Sequence, residues 1–102
     1  MDTYKIIITS KAQSDLSDCV AFVQNVSKEA AINLANDIFA SIESLTSFPE
    51  RNPVFEMPKS FPFIIRKNVV NKRYLILYSI ENNSVVIYRI LDSRRKLNYL
   101  IA

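Results

Sequence analysis

All four prolines of this 102-residue chain, Pro49, Pro53, Pro58 and Pro62, fall within residues 49–62. Proline fixes φ and lacks an N–H, so neither a helix interior nor a central strand tolerates such a series. That stretch therefore reads as an irregular connector, and regular structure belongs on either side of it. It is too short to separate two domains, so residues 1–102 are expected to form a single one.

The half before the connector has helical periodicity after one short strand. Tyr4 to Thr9 is β-branched and apolar and predicts that strand. Ser10 stands three residues before Gln13, a capping-box spacing that predicts a helix start. Ala12, Leu16, Cys19, Val20 and Val23 then recur at three- and four-residue steps. Ser27 is expected to cap a second helix, with Glu29 favourably placed in its first turn. Ala31, Leu34, Ala35, Ile38, Ile42 and Leu45 give that helix its apolar stripe, and Pro49 stops it after Phe48. Only Asn25-Val26-Ser27 separates the two patterns, which predicts an antiparallel helical hairpin.

The half after the connector alternates as strands do. Three are predicted, at about Phe63–Lys67, Arg73–Ile80 and Val85–Asp92. Asn82-Asn83 suits a two-residue hairpin turn because asparagine tolerates positive φ. With that turn, positions whose numbers sum to 165 lie opposite each other. Tyr78 then faces Ile87, and Arg73 faces Asp92 as an opposite-charge pair. Tyr74, Ile76, Tyr78, Ile87, Arg89 and Leu91 share one sheet face. Leu75, Leu77, Val86, Tyr88 and Ile90 share the other, which lacks cations except at its Arg73/Asp92 end and is assigned to the helices. The first set becomes the expected working face, an assignment that a one-residue slip would reverse. Val69-Val70 reads as either an exposed apolar patch or a buried bend.

Charge divides the chain in the same place. Residues 1–49 hold three Lys/Arg against six Asp/Glu, and residues 50–102 hold ten against four. The acidic half reads as scaffold and the basic half as the part that meets something anionic. Arg89 sits inside an apolar strand, where a charge is costly unless paired or wet, and an acid such as Glu56 could pair it. Arg94-Arg95-Lys96 follow the strand end. Histidine and glycine are absent, and Cys19 is the lone cysteine. Those absences exclude the commonest general base, glycine-built phosphate cradles, cysteine metal clusters and internal disulfides. No metal or cofactor is expected. Asp15 and Asp18 read as helix-surface carboxylates. No apolar run approaches the roughly 20 residues that span a bilayer, and the N-terminus does not read as a secretory signal, so no membrane association and a cytoplasmic location are expected.

Taken together, Tyr4 to Thr9 running into Ala12-x-x-Asp15-Leu16, the helix ending Leu45-x-x-Phe48-Pro49, and the meander carrying Arg66, Tyr74–Tyr78 and Val86–Leu91 before Arg94-Arg95 resemble the RelE/ParE superfamily of bacterial type II toxins. The resemblance implies an α+β fold. An N-terminal strand and an antiparallel helical hairpin would pack on a mainly antiparallel four-stranded sheet with a short basic C-terminal tail. It implies a cognate antitoxin as partner in a toxin–antitoxin hetero-oligomer. The target would be DNA gyrase on the ParE side, or the ribosome with its mRNA on the RelE side.

A metal-free ribonuclease must activate a ribose hydroxyl, stabilise a crowded phosphate and protonate a leaving oxygen. If the chain is RelE-like, Arg66, Arg89, Arg95 and Tyr78 are the candidate catalytic residues. Arg73, Arg94, Arg95, Lys96 and Tyr99 are candidates for contact with the target or with nucleic acid. Leu75 stands where RelE-like ribonucleases tend to carry arginine, and a C-terminal histidine–tyrosine pair cannot exist here. These departures favour the ParE-like branch. A non-toxic interaction module that retains the fold is the alternative from another class.

Overall fold

A computed structural model of the protein describes residues 3–94. The element order is β1 (Lys5–Ile8), α1 (Ser10–Gln24), α2 (Lys28–Ser44), a 3₁₀ turn (Pro49–Arg51), β2 (Val54–Phe55), β3 (Ile65–Val70), β4 (Tyr74–Glu81) and β5 (Ser84–Asp92). The sheet runs β1-β5-β4-β3-β2, with β1 parallel to β5 and the other neighbours antiparallel. The α+β architecture is as expected, with five strands instead of four. The extra one, β2, is cut from the proline-bearing connector between Pro53 and Pro58, where two residues suffice to pair Val54 with Arg66 and Phe55 with Ile65.

Thr9, not Ser10, caps α1: its Oγ1 accepts the Ala12 N–H at 3.1 Å. Gln13 still reaches back, its Nε2 donating to the Ile8 carbonyl. Ser27 caps α2 as predicted, accepting from Ala30 N–H. The helix ends at Ser44, and Arg51 covers its open carbonyls by donating to Ser44, Ser47 and Phe48. A glycine-free chain must make its left-handed turns from other residues. Asn71 and Lys72 (φ 54° and 57°) turn β3 into β4, Asn82 (φ 58°) turns β4 into β5, and Phe48 (φ 48°) follows α2. A bulky side chain in that region is strained by roughly 1–2 kcal/mol. Phe48 is 74% exposed, so its ring recovers little by packing. Replacing Phe48 by Asn should therefore raise the thermal midpoint by several degrees, a gain of about 0.5–1 kcal/mol.

The face assignment is corrected by the structure. Tyr74, Ile76 and Tyr78 of β4 and Val85 and Ile87 of β5 point at the helices. There they pack with Ala12, Cys19, Leu34, Ile38, Ile42 and Leu45. Leu75, Leu77 and Tyr88 lie on the opposite face with Ile65 and Leu91, under Phe55, Met57 and Phe61 of the connector. Pairing follows the sum-165 register from Glu81↔Ser84 to Tyr78↔Ile87, then a β-bulge makes Leu77 face Arg89 and Tyr74 face Asp92. The bulge adds one residue to β5, so Ile90 rather than Arg89 continues the helix-side core. Of the two valines left open by the sequence, Val70 is buried and Val69 exposed, both within β3.

Candidate target-contact surface

Each candidate arginine is placed by a different device. Arg89 projects where β5 has run past the end of β1, and α1 takes over that edge. Asp15 accepts from Arg89 Nε at 2.7 Å, from its Nη2 at 3.1 Å and from the Ile90 N–H at 3.0 Å. Thr9 Oγ1 donates to the Tyr88 carbonyl just before. Asp15 is thus no surface carboxylate, and the partner of Arg89 is Asp15 rather than Glu56. The helix position of Asp15, flanking the apolar stripe, was the available signal for this pairing.

Arg66 lies opposite Tyr78 across β3 and β4. Its Nη1 donates to the carbonyls of Glu50 (3.1 Å) and Asn52 (2.7 Å). Tyr78 is fully buried. Its hydroxyl donates to the Pro49 carbonyl at 2.6 Å and accepts from Asn52 Nδ2 at 3.1 Å. Burial pushes its phenol up, only partly opposed by the Asn52 bond. Arg66 and Tyr78 are therefore brought together, but on the 49–52 turn, which they pin. Arg66 borders an open groove of about 400 Å³ whose walls include Glu50 and Glu81, carboxylates that repel a phosphate. Arg89 is on the far side of Leu77 and does not join them.

The structure does gather cations at one end of the sheet. Arg73 donates to Asp92 Oδ2 through Nε (3.2 Å) and Nη2 (2.9 Å), and its guanidinium carbon lies 5.0 Å from the centre of the Tyr74 ring. Arg94 donates its backbone N–H to Asp92 Oδ1 at 3.0 Å, with its Nε 3.6 Å from the same oxygen. The expected Arg73–Asp92 pair forms despite the register shift, diagonally rather than directly across. Lys72 is exposed on the adjoining turn. Asp37 stands nearby, accepting from Asn71 Nδ2 at 2.9 Å. Arg95, Lys96 and Tyr99 lie outside the described residues.

Burial pushes the Asp92 carboxyl up, but the bonds from Arg73 and the Arg94 N–H outweigh it and hold it below the ordinary range. The Arg73 guanidinium is raised in turn, first by that hydrogen bond. The sign follows from linkage. A depressed folded pKa contributes stability that is fully present above the unfolded value, near 3.8, and is lost as pH falls through the folded one. Acid unfolding of Asp92→Asn, followed by circular dichroism from pH 5 to 2, should be shallower than that of the unaltered chain.

Among the described residues no group of histidine, cysteine and carboxylate side chains could hold a metal ion. None of the described helices is long and apolar enough to cross a membrane.

Residues 6–97 match the family model described as ParE toxin of type II toxin-antitoxin system, parDE. The chain belongs to the ParE toxin family. Membership places it on the ParE-like branch of the RelE/ParE superfamily, the superfamily that the strand–hairpin–meander order resembles and the branch that the departures from RelE-like sequences favoured. A solved structure described as the chromosomal ParDE TA system from P. aeruginosa superposes with a TM-score of 0.69 at 18% identity. The alignment covers 88% of this chain and 96% of that one, so the ParE-like fold is shared at nearly full length. A comparison with curated proteins found no match.

Proposed function

We propose that this protein is the toxin of a type II pair, that it arrests growth of its own cell by acting on DNA gyrase, and that a cognate antitoxin neutralises it in a hetero-oligomer. The site of action is cytoplasmic, and its basic end, with Arg73, Arg94 and the residues that follow, makes the target contact. ParE family membership supports the toxin class. The observation that carries the choice of target is the employment of Arg66, Arg89 and Tyr78. The first and last pin the 49–52 turn, and Arg89 is paired to Asp15 on another part of the sheet. A ribonuclease needs such groups converging on one phosphate.

Inducing the chain without its antitoxin should stop growth, with DNA-damage signalling and trapped gyrase–DNA complexes. Co-expression of a cognate antitoxin should restore growth. Cuts in mRNA at ribosomal codons with DNA intact would replace the gyrase reading by the ribosomal one. Unimpaired growth at high expression would leave an interaction module. Arg94 is 64% exposed and its carboxylate contact is long, so Arg94→Glu should leave stability within about 0.5 kcal/mol. The same variant is expected to lose at least tenfold in gyrase trapping, since reversing one close charge at a contact surface costs more than about 1.4 kcal/mol. Full trapping by Arg94→Glu would remove this end of the sheet from the contact.

A further inference from the structure

We infer that Asp92 is a built-in brake on phosphodiester binding, its single carboxylate bracketing Arg73 and Arg94 and cancelling one of their two charges. The inference rests on the reading of the basic end as the target-contact surface and names the chemistry of what it meets there, the backbone of duplex DNA.

The geometry carries it. One oxygen of Asp92 takes both donors of the Arg73 fork and the other takes the Arg94 backbone, with the Arg94 guanidinium alongside. Asp92 is only 8% exposed, whereas Arg73 and Arg94 are 27% and 64% exposed. The carboxylate is therefore behind the two cations, and a ligand arriving from solvent meets guanidinium first. Arg73 is held at this end by side chain and backbone together. The Tyr74 ring flanks it, and its own carbonyl accepts the Ser93 N–H at 2.7 Å.

Each guanidinium has five N–H donors, and among the described residues Arg73 spends only Nε and Nη2 on side-chain bonds. A phosphate oxygen has the charge and acceptor geometry of the carboxylate already bound, so the two compete for the same forks. Lys72, Arg73 and Arg94 set several cations at one sheet end, which suits a line of phosphates better than one isolated anion. Asp37 is a further carboxylate near this end, and Asn71 already donates to one of its oxygens.

The test is binding of a fluorescent duplex oligonucleotide to the full chain, with no gyrase present, over a series of salt concentrations. Asp92→Asn keeps the size of the side chain and an oxygen acceptor while removing the charge. At about 0.1 M salt it should bind about tenfold more tightly, and the slope of log affinity against log salt should steepen by about 1. Adding Arg94→Gln to Asp92→Asn should return both quantities close to their starting values. Asp92→Ser, which retains an oxygen for the Arg94 N–H, should give the same gain if the asparagine variant fails to fold.

Equal or weaker DNA binding by the folded variants would overturn the brake. An equal gain towards a polyglutamate peptide would overturn the assignment to phosphodiesters. Absence of gyrase trapping with the gain intact would remove the gyrase reading alone. Trapping without the gain would remove only the brake.

Discussion

Tyr78→Ala is expected to lower the free energy of unfolding by about 4 kcal/mol, a large share of the 5–15 kcal/mol typical of a domain. The ring is fully buried between the helices and the sheet, and its hydroxyl satisfies the Pro49 carbonyl and the Asn52 amide. Tyr78→Phe separates the two contributions. It keeps the ring and leaves those polar partners without the hydroxyl, a cost of about 1–3 kcal/mol. Urea unfolding followed by circular dichroism reads both. Growth arrest gives a second readout, because a structural hydroxyl leaves the folded fraction of Tyr78→Phe active. Loss of arrest with an unchanged urea midpoint would return Tyr78 to a chemical role.

Asp15→Ala should cost about 2–4 kcal/mol, somewhat below the figure for a fully buried pair because both side chains keep some contact with water. Three bonds end on this carboxylate, two from Arg89 and one from the Ile90 backbone. The third has a second consequence. Beyond Ile8, β5 has no neighbouring strand on that side among the described residues, and Asp15 of α1 and its cap Thr9 shield the edge. An uncovered strand edge invites pairing with another chain. Asp15→Ala should therefore also self-associate on concentration, measurable by light scattering, whereas Asp15→Asn should retain the Ile90 bond and lose about half as much stability. A monodisperse Asp15→Ala of unaltered midpoint would refute both expectations.

Much of the architecture is legible in the residues because local signals agree with one another. Ser27 caps α2 where its hydroxyl precedes the apolar stripe, and Leu34, Ile38, Ile42 and Leu45 are buried as their spacing requires. Cys19 is core, and Asn82 takes the positive φ that the last hairpin needs. Which face of the sheet meets the helices is not legible in this way. β4 has apolar side chains on both sides, from Tyr74 to Tyr78, so alternation carries no preference. The decision falls on Arg89, and Arg89 sits next to a bulge that moves it out of line with Ile87. The connector hides the reason that both faces are apolar: Phe55, Met57 and Phe61 form a second small core with Leu75, Leu77 and Leu91. Prolines mark that stretch as irregular without saying what it covers.

The candidate site was legible in part for the same reason. Opposite charges at Arg73 and Asp92 can be paired from the hairpin alone, and they do pair. Arg66 and Tyr78 fall on consecutive predicted strands, but their use by Pro49, Glu50 and Asn52 depends on where a turn more than ten residues earlier in the chain comes to rest. Long-range polar contacts of this kind have no periodicity to betray them.

Among the described residues the first strand's only ladder partner is β5, Lys5 lying beside Ser84 and Ile8 beside Ile87. A chain emerging from the ribosome thus has its first strand without a ladder partner until almost everything else has been made, and closing so long a loop is slow. Products cut short before residue 84 cannot complete the sheet. A ParE-family chain wired in this order has its finished surface only when its synthesis is nearly complete, and premature termination leaves fragments without it.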